Sequence, residues 1–342
     1  MLLHNKTDKR ILKEKIKNDS EKRKTLSFYK YHRIINPPFF RDYLFIHWNA
    51  IGVLGRIYIA DEGINAQISV PEKKWEDFFT DLNDILFLQN LRLNLAIEES
   101  APSFYKLAIK VRPKIVADGI EDPTFDSSNT GVHLSAEEFN ILTRQSDTLV
   151  VDMRNHYESE VGHFMNAIRP DVDTFRDSLD IVVDMLSHKK ENPVVMYCTG
   201  GIRCEKASAY LKHRGFTDVY QLDGGIIEYA RQVKARGLEN RFIGKNFVFD
   251  DRLGERISEE VISTCHQCGN TCDTHRNCKN EGCHLLFIQC EECDEKFSGC
   301  CSEYCSKNLE MPEANRRQYR SGVLNGRNIF HKGRSIVLHY KK

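Results

Sequence analysis

Residues 193–216 read PVVMYCTGGIRCEKASAYLKHRGF, and the fold of the surrounding region follows from them. The run PVVMYC is short and nearly all apolar, which predicts a strand buried on both faces of a sheet. A helical pattern follows, expected over about 203–213. Between strand and helix lie Cys198, Thr199, Gly200, Gly201, Ile202 and Arg203. In a parallel sheet the carboxyl end of a strand, facing a helix N-terminus, is where ligands are held. Gly200 and Gly201 let the loop fold tightly enough to aim its amides inward. Those amides and the helix dipole favour an anion and lower a thiol pKa toward a nucleophilic thiolate. Arg203 adds a fixed positive charge. A single Cys at a strand end is ordinarily a small buried hydrophobe; the whole C-x-x-G-x-R loop instead marks Cys198 as the nucleophile. Cys204, one step past Arg203, either resolves a persulfide on Cys198 or points into the core.

The pattern repeats outward. TLVVDMR, a helical stretch around 175–187, DVYQL and the turn DGG alternate apolar strands with helices, so residues 148–240 read as one α/β domain with a buried parallel sheet. Upstream, residues 26–114 give strands SFYKYHRI, LGRIYIA, QISV, RLNLAI and FYKLAIKVR, with helices opened by Pro37 and Pro71. Strand, helix, strand, strand, helix, strand is the order of a ferredoxin-like sandwich. Residues 115–147 read as a linker with a short helix. The expected fold is therefore a multidomain mixture of α/β and α+β: a ferredoxin-like (acylphosphatase-like) domain, an α/β domain, and a Cys-rich segment.

In FYKLAIKVR, Tyr105, Leu107, Ile109 and Val111 share one face while Lys106, Lys110 and Arg112 share the other, with Lys114 continuing the alternation. Such a stripe either tracks a phosphate backbone or is an ordinary solvated face. Ten of the 12 cysteines lie between Cys265 and Cys305. That crowding, with no apolar signal-like stretch in MLLHNKTDKR, predicts a reduced, cytoplasmic protein with thiolates available for metal rather than a disulfide-stapled secreted one. No run approaches a membrane span. Cys265/Cys268 and Cys290/Cys293 are C-x-x-C pairs that alternate with Cys278/Cys283 and Cys301/Cys305. Over 241–305 we expect two structural zinc ions, the first and third pairs on one and the second and fourth on the other. Cys272, Cys300, His266, His275 and His284 stand as substitutes, and iron–sulfur is the rival reading.

At 342 residues and 41% hydrophobic composition the chain is large enough for two or three domains with real cores, which excludes a disordered tail or a coiled coil. Its 49 Lys+Arg balance 49 Asp+Glu. The balance is a cancellation. Residues 1–24 hold nine basic and four acidic groups, residues 306–342 nine and two, leaving 31 basic against 43 acidic groups between them. A basic arm (1–25) and a basic tail (306–342) thus flank an acidic centre, which leaves room for a nucleic-acid partner.

The loop resembles that of the rhodanese domain. DMRNHYESEVGHF is similar to that family's first signature, which implies that Asp152 and Arg154 brace the domain and the active loop; by themselves they read as a structural ion pair. Four residues separate Cys198 from Arg203, one fewer than in cysteine phosphatases, and the tighter cradle suits a persulfide or a planar acceptor. With SFYKY, LGRIYIADEGINAQISVP, KVRPKIVADGI, GGIIEYA, RFIGKNFVFDDRLGERIS and CHQCGNTCDTHRNCKNEGCHLLFIQC added, the chain over roughly 20–335 resembles the bacterial tRNA uridine 5-hydroxylase family, whose members contain a rhodanese domain. The resemblance implies conversion of the wobble uridine in a tRNA anticodon loop to 5-hydroxyuridine, with molecular oxygen as co-substrate and a required cysteine at Cys198; it names no electron donor.

The residues alone give no dinucleotide fingerprint, and His163 with nearby acids makes only a thin case for an iron site. The mechanism they allow is addition of the Cys198 thiolate to uracil C6, with Arg203 and the loop amides stabilising an oxyanion at O4. Two rivals remain: a sulfurtransferase carrying a persulfide on Cys198, and a zinc-stapled RNA-binding module on an inert scaffold.

Overall fold

A computed structural model describes residues 3, 7, 9–17, 21–97, 102–312 and 315–316. Most of the basic tail and part of the basic arm lie outside the described residues. Within the arm, Lys9–Lys17 form helix α1, and the first strand already begins at Arg23.

The N-terminal domain runs β1 (Arg23–Tyr31), α2 (Pro37–Ile51), β2 (Leu54–Ala60), β3 (Gly63–Pro71), α3 (Trp75–Asp84), β4 (Asn94–Leu95) and β5 (Leu107–Val111). Asn36 caps α2 through its side chain, Pro37 and Pro38 open it, and Gly52 at φ 86° closes it. The sheet order β4-β1-β3-β2-β5 is a ferredoxin-like sheet with one extra strand, because β5 joins the far edge parallel to β2. The second helix starts later than Pro71 predicts: β3 runs through Pro71 and one 3₁₀ turn intervenes before Trp75. One face of the sheet packs on α2 and α3 through Phe28, Ile57, Ile68, Trp48 and Phe78. The opposite face is polar, and that face makes the site.

The second domain has β6 (Val132–Leu134), α4 (Ala136–Leu142), β7 (Leu149–Asp152), α5 (His156–Ser159), β8 (Gly162–Phe164), α6 (Phe175–Met185), β9 (Val194–Tyr197), α7 (Ile202–His213), β10 (Val219–Leu222) and α8 (Gly225–Arg236). Strands β6-β10-β9-β7 form a wholly parallel sheet. Helices α6 and α7 cover one face and α4 and α8 the other, as burial of both faces requires. The expected linker thus contributes to this domain, since β6 is an edge strand and α4 part of a flanking layer.

Downstream, β11 (Phe242–Asn246) pairs with β8 and with β12 (Glu255–Arg256). The Cys-rich segment then holds the hairpin β13 (His275–Asn277) and β14 (Leu286–Ile288), α9 (Glu291–Lys296) and α10 (Glu303–Glu310). Among the described residues no helix is long and apolar enough to cross a membrane.

Candidate active site

Cys198 directly follows β9 and faces the N-terminus of α7. The loop between them needs Gly201 at φ 98°, where an added Cβ would meet the Tyr29 hydroxyl at 2.9 Å, and its neighbour Gly225 at φ 66°, where a Cβ would lie 2.5 Å from the Cys198 carbonyl oxygen. The Gly201 amide donates to Cys198 Sγ at 3.2 Å. Burial alone would push this thiol up. The Cys204 thiol hydrogen bond, the Arg203 charge and the Arg203 and Gly201 amides outweigh burial and bring Cys198 from 9.0 to about 6. Cys204 moves the other way: burial and the adjacent Cys198 hold it well above its ordinary range. These contacts favour the thiolate form of Cys198 at neutral pH, with Cys204 held protonated beside it.

Arg203 is not a free cation. Its guanidinium makes a bidentate pair with Glu158, at 2.7 and 2.8 Å, and donates to Thr199 Oγ1 at 3.3 Å. Glu158 is fully buried, and it also accepts the Asn155 amide at the start of α5. The arginine thus ties the loop to α5 while its charge still acts on Cys198. Asp152 and Arg154 form a second buried ion pair, with Arg154 Nη2 at 2.6 Å from Asp152 Oδ2. Asp152 Oδ2 also accepts the hydroxyl of Tyr197, the residue preceding Cys198, at 2.7 Å.

The loop forms the floor of a cleft of about 870 Å³. Its roof is the polar face of the N-terminal sheet. Register aligns Asn94, Ser27, Gln67, Arg56 and Ala108 on one rung and Tyr29, Asn65, Tyr58 and Lys110 on the next. A third wall comes from residues 247–255, where the Phe249 carbonyl accepts from Arg56. The roof is bolted to the floor: Tyr29 donates to Glu205 at 2.8 Å, Lys206 Nζ to Glu62 at 2.6 Å, and Asn94 Nδ2 to the Gly200 carbonyl at 3.4 Å. Tyr29 and Asn94 were not singled out from sequence. Alternation in RLNLAI is the signal that could have found Asn94, because Leu93 and Leu95 pack on the core while Asn94 faces the other way.

Of the basic stripe, Lys106, Lys110 and Arg112 are exposed. Lys110 lies beside Tyr58 in register, and the Arg112 guanidinium stands 5.8 Å from the Tyr58 ring centroid, so the stripe continues the cleft's roof. Lys114 departs from it. The strand ends at Val111, and Lys114 turns back to Asp118 Oδ1 at 2.5 Å and the Ile120 carbonyl at 2.7 Å. His163 is bound to the Ser159 carbonyl at 3.1 Å, and among the described residues no cluster of metal-ligating side chains includes it.

The eight paired cysteines collect in two groups of four, Cys265, Cys268, Cys290 and Cys293, and Cys278, Cys283, Cys301 and Cys305, with ligand atoms within 4.8 Å of one another. Sulfur separations of 3.6 Å (Cys268–Cys290) and 3.7 Å (Cys283–Cys301, Cys301–Cys305) match the edge of about 3.8 Å expected for thiolates around a tetrahedral ion with metal–sulfur bonds of about 2.3 Å. The donor set fits a closed structural site. Cys272, Cys300, His266, His275 and His284 stay outside both groups; His266 instead reaches Glu160 at 2.8 Å, two residues past Glu158.

Residues 23–115 match the UPF0176 acylphosphatase like domain, residues 135–232 the Rhodanese-like domain, and residues 243–306 the family described as Rhodanase C-terminal. The chain is 55% identical to the tRNA uridine(34) hydroxylase of Photorhabdus laumondii over 334 residues, covering 97% of this chain and 95% of that one. The enzymes of the same name from Hamiltonella defensa (55% over 337 residues, 98% and 95% covered) and Salmonella typhimurium (55% over 334 residues, 97% and 95%) are equally similar.

Because its folded-state pKa is depressed, Cys198 gains thiolate as pH rises through about 6 and is fully ionised by pH 8. Alkylation followed by peptide mass spectrometry should show Cys198 labelling with a midpoint about 6. A midpoint near 9 would remove the thiolate from the site.

Proposed function

The chain belongs to the tRNA uridine(34) hydroxylase family, and from that membership we propose that Cys198 is the nucleophile by which it hydroxylates the wobble uridine at C5. Hydroxylation of the tRNA wobble uridine is the family's activity and this chain's. The observation that carries the route is Cys198 at the end of β9, its sulfur accepting the Gly201 amide, on the floor of a cleft large enough for a nucleotide.

Cys198 Sγ adds to C6, and the C5=C6 electron pair moves toward C4 to leave an enolate at O4. The amides of the loop that holds Cys198 would stabilise that oxygen. Arg203, held by Glu158, acts by keeping the loop closed and the sulfur ionised rather than by direct contact with O4. Molecular oxygen, two electrons from an external donor and three protons convert the enolate to a C5 hydroxyl and release water, and one of the three protons is returned when the C5 proton leaves. Loss of the C5 proton and expulsion of Cys198 from C6 restore the uracil ring.

An anticodon loop suits this site, because its bases are already unpaired and enter the cleft at less cost than from a duplex. Lys106, Lys110 and Arg112 lie on the roof's own face, where they would hold the phosphates that flank an inserted base. Two zinc ions in the Cys₄ groups would supply folding free energy to a segment with little apolar core. A reducing cytoplasm suits the free thiols. The second reading is a persulfide on Cys198 that donates sulfur; it is favoured by the anion cradle and separated from hydroxylation by the mass of the modified nucleoside.

Cys198→Ser should abolish hydroxyuridine in nucleoside mass spectrometry while tRNA affinity stays within about tenfold; retained turnover would sink the covalent route. Replacing Lys106, Lys110 and Arg112 together by Ala should weaken tRNA binding and lower the slope of log K against log salt by about 0.7 for each phosphate contact removed. An unchanged slope assigns the stripe to solvent alone. Elemental analysis should return two zinc per chain, and a chelator strong enough to remove them should unfold the segment over 263–305, read as loss of protease resistance there; a metal-free, protease-resistant chain would contradict this.

A further inference from the structure

Asn94 sits at the meeting of roof and floor. It is 3% exposed, its Nδ2 donates to the Gly200 carbonyl at 3.4 Å, and its Oδ1 is buried with no hydrogen-bond partner among the described residues. A buried carboxamide oxygen without a donor is costly, and Asn94 lines the same cleft as Cys198. Beside it on the rung stand Ser27 and Gln67. An unsatisfied acceptor where roof meets floor suits a ligand that brings an N–H.

We propose that Asn94 is the residue that selects uracil, its Oδ1 accepting the N3–H of the target base. The inference rests on the covalent route above, which fixes the chemistry at the other side of the ring. A thiolate attacks C6 perpendicular to the base plane, which leaves the in-plane edge free, and N3 lies across the six-membered ring from C6. Asn94 and Cys198 are held in register by the short loop between Cys198 and Gly200, so acceptor and nucleophile are fixed relative to each other. Cytosine would place its unprotonated N3 against the Asn94 oxygen, acceptor facing acceptor. Its C6 is open to thiolate addition as uracil's is, so the rejection has to come from this edge. The carboxamide thus serves twice: its nitrogen holds the loop and its oxygen reads the base.

The test uses the full chain with tRNA transcripts carrying uridine, cytidine or 3-methyluridine at position 34, with affinity measured in the Cys198→Ser background so that no turnover is needed. Asn94→Ala and Asn94→Asp are compared with the Asn94 parent. The parent should prefer uridine over both analogues by about 10- to 100-fold. Asn94→Ala should bring uridine and cytidine within about threefold of each other, while in the Cys198-containing Asn94→Ala protein the alkylation midpoint stays about 6. Asn94→Asp keeps the acceptor and loses the donor to Gly200, and it should keep the preference for uridine over cytidine.

A parent that binds cytidine as well as uridine overturns the proposal. So does an Asn94→Ala protein that keeps the full preference, which removes the side chain from base selection, or an Asn94→Asp protein that loses it as Ala does, which places the role in the Gly200 bond. Flattening for 3-methyluridine without flattening for cytidine would mean that the position acts by bulk, and also overturns it. Turnover by Cys198→Ser would defeat the covalent route and leave the binding comparison readable.

Discussion

The bidentate pair between Arg203 and Glu158 is the interaction on which the rest of the site depends. Both groups are almost wholly enclosed, where an unpartnered charge is strongly unfavourable and loss of one member of such a pair typically costs about 3–5 kcal/mol. The arginine therefore has one position available, and that position pins the last residue of the active loop. With Arg203 fixed, the first amides of α7 point at Cys198 Sγ. The Asp152–Arg154–Tyr197 arrangement does the same from the strand side, holding the residue before Cys198. The sulfur's ionisation draws on the Cys204 thiol, the Arg203 charge and the loop amides, which the Arg203–Glu158 pair holds in place.

Glu158 belongs to α5, and α5 is the element that joins the remote parts. Glu160, just past it, holds His266, which follows Cys265 of the first Cys₄ group. The segment that ends the described chain is thereby linked to the helix that positions Arg203. The path runs through a salt bridge, a one-turn helix and a thiolate knuckle, each of which has little freedom once the others are set.

The loop was legible because its chemistry is local: strand end, two glycines and an arginine within six residues define a cradle in any context. The alternating cysteine pairs were legible for a related reason, since a closed four-thiolate group needs two short-spaced pairs. The ferredoxin-like order followed from periodicity, and the parallel sheet from its apolar runs. What escaped was set by distant contacts. Three residues, Val132–Leu134, are too few to show a period, so β6 was assigned to a linker. Lys114 continued an alternation that the backbone abandons at Val111. The chelation of Arg203 by Glu158 and the approach of Asn94 to Gly200 join residues 45 and 106 positions apart, which no local pattern encodes.

The cleft's walls are made in a fixed temporal order. A ribosome completes the roof strands, β1 to β5, before it reaches Cys198, and it reaches Phe247 to Glu255 only afterwards. Domains generally fold as units, N-terminal first, as they are synthesised, and in that order the loop meets a polar β-face on which Tyr29 and Asn94 stand ready for Glu205 and Gly200. The third wall, from residues 247–255, is the last of the three to be synthesised. Vectorial synthesis and the topology of the site run in the same direction, so the roof strands that cover Cys198 are always made before it.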